Sequence, residues 1–96
     1  MNGQALFKFR LYLAGDALNS AQALANLTAL CREYLVGRYE IEVIDVFQEP
    51  ERALVDAIYL TPTLVKLTPL PTKTIVGTLS QTQTILQALG LQDRTP

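Results

Sequence analysis

The chain holds a single cysteine, Cys31, and no histidine, and this limits its chemistry more than any motif does. Without histidine it lacks the commonest general base, the commonest zinc ligand and any Ser-His or Cys-His nucleophile pair. Cys31 cannot close an internal disulfide, and a lone thiol fits a reducing, cytoplasmic setting. Its place in an apolar helical stripe reads as a small buried hydrophobe, with a reactive thiol as the sharper alternative. Asp16, Asn19 and Ser20 form a polar cluster that turn and helix-cap duties explain. Asp45 interrupts the apolar run Val43-Ile44-Asp45-Val46; it is expected at a strand end, facing solvent or accepting from a backbone amide, rather than shuttling protons. Glu49, Glu51 and Asp56 read as a solvated acidic face, too few in ligand types for a metal site. Lys66 and Lys73 flank a proline turn. They suit either a solvated hairpin tip or a basic pair for an acidic partner surface, where they would set association rate and register.

Composition bounds the rest. Ninety-six residues make one domain, residues 1–96, with a core small enough that self-association, as a dimer or tetramer, is expected. Hydrophobic residues are 49 % and charged residues 18 %, a globular composition with a charge-poor surface, parts of which a partner or second copy would cover. The net charge of −1 provides no electrostatic footprint for nucleic acid or membrane. The start, Met1 to Ala5, has neither a basic region nor an apolar one, and no apolar run approaches the roughly 20 residues that cross a bilayer.

The elements that must position these residues follow from periodicity. Phe7, Phe9, Leu11 and Leu13 alternate with Lys8, Arg10 and Tyr12, which predicts a first strand with one core face. Asn19 with Gln22 has capping-box spacing, and Leu24, Leu27, Leu30, Cys31, Tyr34 and Leu35 make a helical stripe. Gly37 is placed as its C′ residue, with Arg32 and Arg38 complementing the negative helix end. A second strand, Tyr39 to Val46, completes a β-α-β unit with parallel pairing. Pro50 opens a second helix in which Leu54, Val55 and Ile58 continue one face, and Thr61-Pro62-Thr63 stops it. Short strands at Leu64-Val65-Lys66-Leu67 and Thr74-Ile75-Val76 flank the turn Thr68-Pro69-Leu70-Pro71-Thr72. Ser80 with Gln83 is a capping box for a last helix carrying Ile85, Leu86 and Leu89, and Gly90 ends it. Residues 91–96 are expected to form a loose tail.

The predicted class is α/β, in the order β-α-β-α-β-β-α, which is the thioredoxin topology. In that fold a cis-proline commonly precedes the third strand, where Thr61-Pro62-Thr63 stands. The redox motif would lie at Ala14-Gly15-Asp16-Ala17-Leu18-Asn19-Ser20, which contains no thiol.

Six stretches together resemble the KaiB family of cyanobacterial circadian-clock proteins: Leu11-Tyr12-Leu13-Ala14-Gly15, Asn19-Ser20, Val43-Ile44-Asp45-Val46, Thr61-Pro62-Thr63-Leu64-Val65-Lys66, Pro69-Leu70-Pro71 and Ile75-Val76-Gly77. The resemblance runs from about Leu6 to Leu91. It implies a non-enzymatic regulator without cofactors that binds a KaiC-like hexameric ATPase, alongside KaiA-like proteins and clock histidine kinases. Lys66, Lys73, Thr61, Pro62 and Thr63 are the implied partner-binding residues. It also implies a change of fold: a thioredoxin-like binding state, and a resting oligomer in which the second half rearranges to give β-α-β-β-α-α-β. Pro62, Pro69, Pro71, Ala88 and Gly90 are the implied switch positions. The family's basic surface is reduced here, with Ala57 in place of a Lys and Lys73-Thr74 in place of Arg-Arg, which points to a divergent paralogue. Alternatives are the sensor domain of a clock histidine kinase and a thioredoxin-like thiol oxidoreductase.

Overall fold

The alternation in the first strand places it at the centre of the sheet. In a computed structural model describing residues 5–91, β1 (Phe7–Leu13) lies between β2 (Tyr39–Asp45) and β3 (Thr63–Thr68), and β3 pairs on its far side with β4 (Lys73–Val76). The sheet order is β2-β1-β3-β4. Strand β2 runs parallel to β1, with Phe7 opposite Tyr39 and Leu13 opposite Asp45. Strands β3 and β4 complete the sheet with antiparallel pairings. Among the described residues the order is β1, α1 (Leu18–Tyr34), β2, α2 (Pro50–Val55), β3, β4, α3 (Thr82–Ala88), as the sequence predicts. Residues 1–4 and 92–96, which include most of the expected tail, lie outside the described residues; Leu91 itself packs on the core.

The sheet is buried on both faces. On one, Phe7, Phe9, Leu11 and Leu13 pack under α1 and α3 against Ala23, Leu27, Leu30, Cys31, Ile85 and Leu86. On the other, Tyr12, Ile44 and Val65 pack with Ala53 of α2. Tyr12 is therefore not on an open polar face, as period two suggested, but fully buried. A phenol sealed in a core needs a partner for its hydroxyl. Tyr12 Oη donates to Asp56 Oδ2, just beyond α2, and its bond to the Arg52 carbonyl is 3.3 Å.

That demand corrects two further expectations. Asp56 does not belong to a solvated acidic face; it also accepts from Arg10 Nη1 at 2.8 Å. Arg52, on the same short helix, reaches Glu42 of β2 at 2.7 Å and Glu49 at 3.4 Å, and Arg10 Nε meets Glu42 at 3.2 Å. Helix α2 is thus held to the sheet by Ala53 and by charges, and not by Leu54 and Val55, which are 75 % and 83 % exposed. A six-residue helix has room for one small inward contact, and Ala53 makes it.

Helix ends also differ from the capping-box reading. Helix α1 begins at Leu18 with Ala17 at the N-cap, and α3 has Gln81 there; neither has a side-chain cap. Ser20 is used otherwise: its Oγ accepts from the Ala14 N–H at 3.1 Å and fixes the turn into α1. Helix α1 ends at Tyr34 with Leu35 as C-cap, which puts Gly37 (φ +71°) one residue beyond the expected C′. Arg38 does bond a carbonyl of the last turn, Tyr34 O, at 3.3 Å. Gly90 ends α3 as expected: its φ is +78°, its N–H reaches Gln87 O at 3.1 Å, and the Leu91 N–H reaches Leu86 O at 2.8 Å. These are the paired bonds of a Schellman motif.

Asp56 is held below the usual carboxylate range, first by the Tyr12 hydroxyl and then by Arg10, against the cost of desolvation. Glu42 is lowered chiefly by Arg52. The folded chain therefore binds fewer protons than the unfolded one at acid pH. The stabilisation is complete above the unfolded carboxylate pKa values, about 4, and is lost as pH falls through the lowered folded values. Urea titrations at pH 7 and pH 3 are expected to give a lower midpoint at pH 3, with most of the difference removed in Asp56→Asn. Equal midpoint losses in wild type and Asp56→Asn would contradict this.

Candidate functional site

Three residues before Lys66, the chain enters β3 through Thr61-Pro62-Thr63. The Thr61–Pro62 bond is cis, as are Thr68–Pro69 and Leu70–Pro71. Pro62 and Thr63 are buried, Thr63 Oγ1 donates to Leu60 O at 2.6 Å, and Pro62 O accepts the Gly77 N–H at 2.9 Å. Two hydrogen bonds hold this turn against β4 and the preceding loop. What it presents was not legible as a site: Tyr59 and Leu60, just before it, are 85 % and 63 % exposed, and Val76 of β4 is exposed beside them. Together with Ala57, Ile58 and Thr74 they line a shallow groove of about 120 Å³ whose walls are almost all apolar. The available signal was Tyr59-Leu60 itself, two large apolar residues outside any helical or strand period.

Tyr12 pairs with Thr63, so the β1–α1 turn lies at the same end of the sheet as Pro62. In this turn Asp45 accepts from the Phe47 N–H at 2.8 Å and the Gly15 N–H at 3.2 Å, the backbone-amide role expected of it. Asp16 and Asn19 are exposed there. Among the described residues no sulfur stands at this end. Cys31 lies fully buried inside α1, where desolvation pushes its thiol up to about 12. A thiolate is the reacting form, and burial disfavours it here.

The other end of β3 carries the lysines. Phe9 pairs with Lys66, and Lys66 sits directly opposite Lys73 across β3 and β4. They are not an equivalent solvated pair: Lys73 is exposed, whereas Lys66 is 4 % exposed, with its ammonium 5.9 Å from the Phe7 ring centroid. Burial, and after it the Lys73 charge, lower the Lys66 pKa. Both lysines line a cleft closed by Pro69 and Pro71 on one side and the end of α3, including Ala88 and Gly90, on the other. The structure thus gathers Lys66, Lys73, Pro69, Pro71, Ala88 and Gly90 at one end. Thr61, Pro62 and Thr63 stand at the other, about 10 Å away along the strand. No helix among the described residues is long and apolar enough to cross a membrane.

The KaiB domain model matches residues 10–91. The chain is 42 % identical over 92 residues to "Circadian clock protein KaiB3" of Synechocystis sp., covering 91 % of this chain and 90 % of that protein. Among solved structures it superposes on the N-terminal domain of Synechococcus elongatus SasA with a TM-score of 0.74 at 17 % identity, covering 100 % of this chain and 94 % of that one. Mitochondrial thioredoxin 3 of Saccharomyces cerevisiae gives 0.71 at 19 % identity, covering 92 % and 81 %. The fold is thioredoxin-like, as the element order predicts.

A thiol reagent such as DTNB is expected to leave Cys31 unmodified in the native protein at pH 8 and to titrate one thiol in 6 M guanidinium chloride. Rapid native labelling, or insulin reduction lost in Cys31→Ser, would restore the oxidoreductase reading.

Proposed function

The chain belongs to the KaiB family, and from that membership we propose that it is a non-enzymatic regulator of the circadian-clock type which binds a KaiC-like hexameric ATPase. The observation that carries the reading is the uncovered apolar surface of Tyr59, Leu60 and Val76 beside the hydrogen-bonded Thr61-Pro62-Thr63 turn, on a chain with no thiol at the redox position. Exposed aromatic and aliphatic side chains grouped on a fixed platform are what a protein partner buries. Lys73 lies on the same strand as Val76 and supplies charge for an acidic patch. Lys66, held beneath it, acts by fixing the field of that end rather than by reaching outward. The SasA-like neighbour supports a second reading, the sensor domain of a clock histidine kinase; 42 % identity to a KaiB protein against 17 % to the SasA domain favours the first.

Two finer elements belong to the same proposal. The thioredoxin-like arrangement is the partner-binding state, and the isolated protein at rest is a tetramer or dimer with its second half rearranged. The short elements of the second half are compatible with such an exchange, although Leu64, Ile85, Leu86 and Leu89 share the main core with β1 and α1. The second half contributes the six-residue α2, the six-residue β3 beside β1, the four-residue β4 and the seven-residue α3. KaiA-like proteins and clock histidine kinases are further partners on this reading.

Gel filtration with a KaiC-type ATPase from the same cell is expected to give a co-eluting complex. Lys73→Glu should slow association about tenfold at low salt and less at high salt, because a rim charge acts chiefly on the encounter rate. Tyr59→Ser should instead raise the dissociation rate. Unchanged kinetics in both variants would remove both the Lys73 side and the Tyr59 groove from the interface.

Ala88 is the last residue of α3, and Gly90 takes the positive φ that closes it. Ala is favoured over Gly inside a helix by about 1 kcal/mol, a roughly fivefold change in a two-state ratio. Ala88→Gly is therefore expected to lengthen the lag before ATPase binding. Binding as fast as wild type would transfer control of the switch to the oligomer contacts.

A further inference from the structure

The pairing of Lys66 with Lys73 is an unfavourable arrangement as it stands. Directly opposed residues of an antiparallel pair lie closest on one face of a sheet, and like charges there repel. Lys66 is also more than nine-tenths buried, and no hydrogen bond or ion pair reaches its ammonium among the described residues. Its recorded neighbour is the Phe7 ring, which the Arg38 guanidinium approaches at the same 5.9 Å. Two cations therefore share one aromatic ring, and neither lysine meets a carboxylate within ion-pair distance among the described residues. The stem of Lys66 is covered while its ammonium keeps access to solvent through the cleft, because no described buried side-chain nitrogen is left without a partner.

The two lysines open into a cleft of about 340 Å³, walled by Pro69 and Pro71 and bordered by Gln87, whose side chain is exposed and can donate. We propose that this cleft is a phosphate-binding site, in which one tetrahedral oxyanion is held between the ammonium groups of Lys66 and Lys73. Charge decides between anions. A carboxylate brings one negative charge to two ammonium groups, whereas a phosphate near neutral pH carries about −1.5 to −2 and several acceptor oxygens. Inorganic phosphate and the terminal phosphate of a nucleotide share this chemistry. The site goes beyond the docking reading and does not depend on it. An occupied cleft masks Lys73 from an acidic partner surface, so the anion and the partner compete.

The test uses the isolated protein followed by amide NMR at constant ionic strength, chloride being exchanged for inorganic phosphate, for ADP or for acetate. Phosphate is expected to shift the Lys66, Leu70, Lys73 and Gln87 amides saturably, while acetate does not. Lys73→Gln should weaken binding about tenfold, the size of one charged hydrogen bond. Lys66→Met should abolish binding and, in phosphate-free buffer, raise Tm, because it removes one of two directly opposed like charges. A larger affinity for ADP than for phosphate would assign the site to a nucleotide, and equal affinities to the free anion; both support it. Shifts that follow ionic strength alone, or persist in Lys73→Gln, mean an adventitious ion only and overturn it. So does a Lys66→Met variant that folds with a lowered Tm, which would make the ammonium a packing partner of Phe7. If phosphate binds while Lys73→Glu associates normally with the ATPase, the docking role of Lys73 fails and the anion site stands.

Discussion

A phenol hydroxyl buried under a short helix sets the geometry of the second half of this molecule. The Tyr12 ring sits in the small core between the sheet and α2, and its hydroxyl finds an acceptor 44 residues away in Asp56. Arg10 shares that carboxylate, and Arg52 carries the charge chain to Glu42 on the neighbouring strand. The six-residue α2 buries little apolar surface of its own, so this polar network decides where it lies. Once α2 is fixed, the loop after it must run outward, with Ala57 at φ +57°, and Tyr59 and Leu60 are left facing solvent. The candidate docking surface is a consequence of satisfying one buried hydroxyl.

The two faces of the sheet differ in kind. Under α1 and α3 the packing is apolar and continuous, from Phe7 through Leu27 to Leu86. Under α2 four buried residues are joined by a ring of charges. Hydrophobic burial is non-directional, whereas hydrogen bonds and ion pairs demand a particular geometry. The first face can therefore tolerate repacking, and the second holds one arrangement or is lost.

Periodicity made the fold legible in the sequence. Strand β1, helix α1 and the closing Gly90 each follow from spacing and residue type alone, and the element order followed from them. The absence of a redox thiol was equally plain. What the sequence concealed was tertiary. Tyr12 and Asp56 look like ordinary surface residues in their own segments, because nothing local announces that one seals the other. Leu54 and Val55 looked inward-facing because periodicity assumes that a helix rests on its apolar side, whereas α2 is seated by Ala53 and by charge. Asn19 and Ser80 had the composition of caps, yet the helices begin at neighbouring positions. The lysine pair was visible, but that Lys66 is covered and Lys73 is not depends on where the end of α3 comes to rest.

The sheet has two open borders, β2 and β4, and they differ in charge. Border β2 carries Glu40 and Glu42, while β4 is four residues long and begins with Lys73. Sheets lengthen across molecules by adding strand to strand, and like charges meeting at a border oppose that addition. Two β2 borders would bring the Glu40 side chains near each other, and two β4 borders in parallel register would set Lys73 against Lys73. A β2 border meeting a β4 border joins unlike surfaces, a contact that can repeat without closing, but the four residues of β4 give it few hydrogen bonds. The same residues that shape the two ends of the molecule therefore also guard it against fibre growth in concentrated solution.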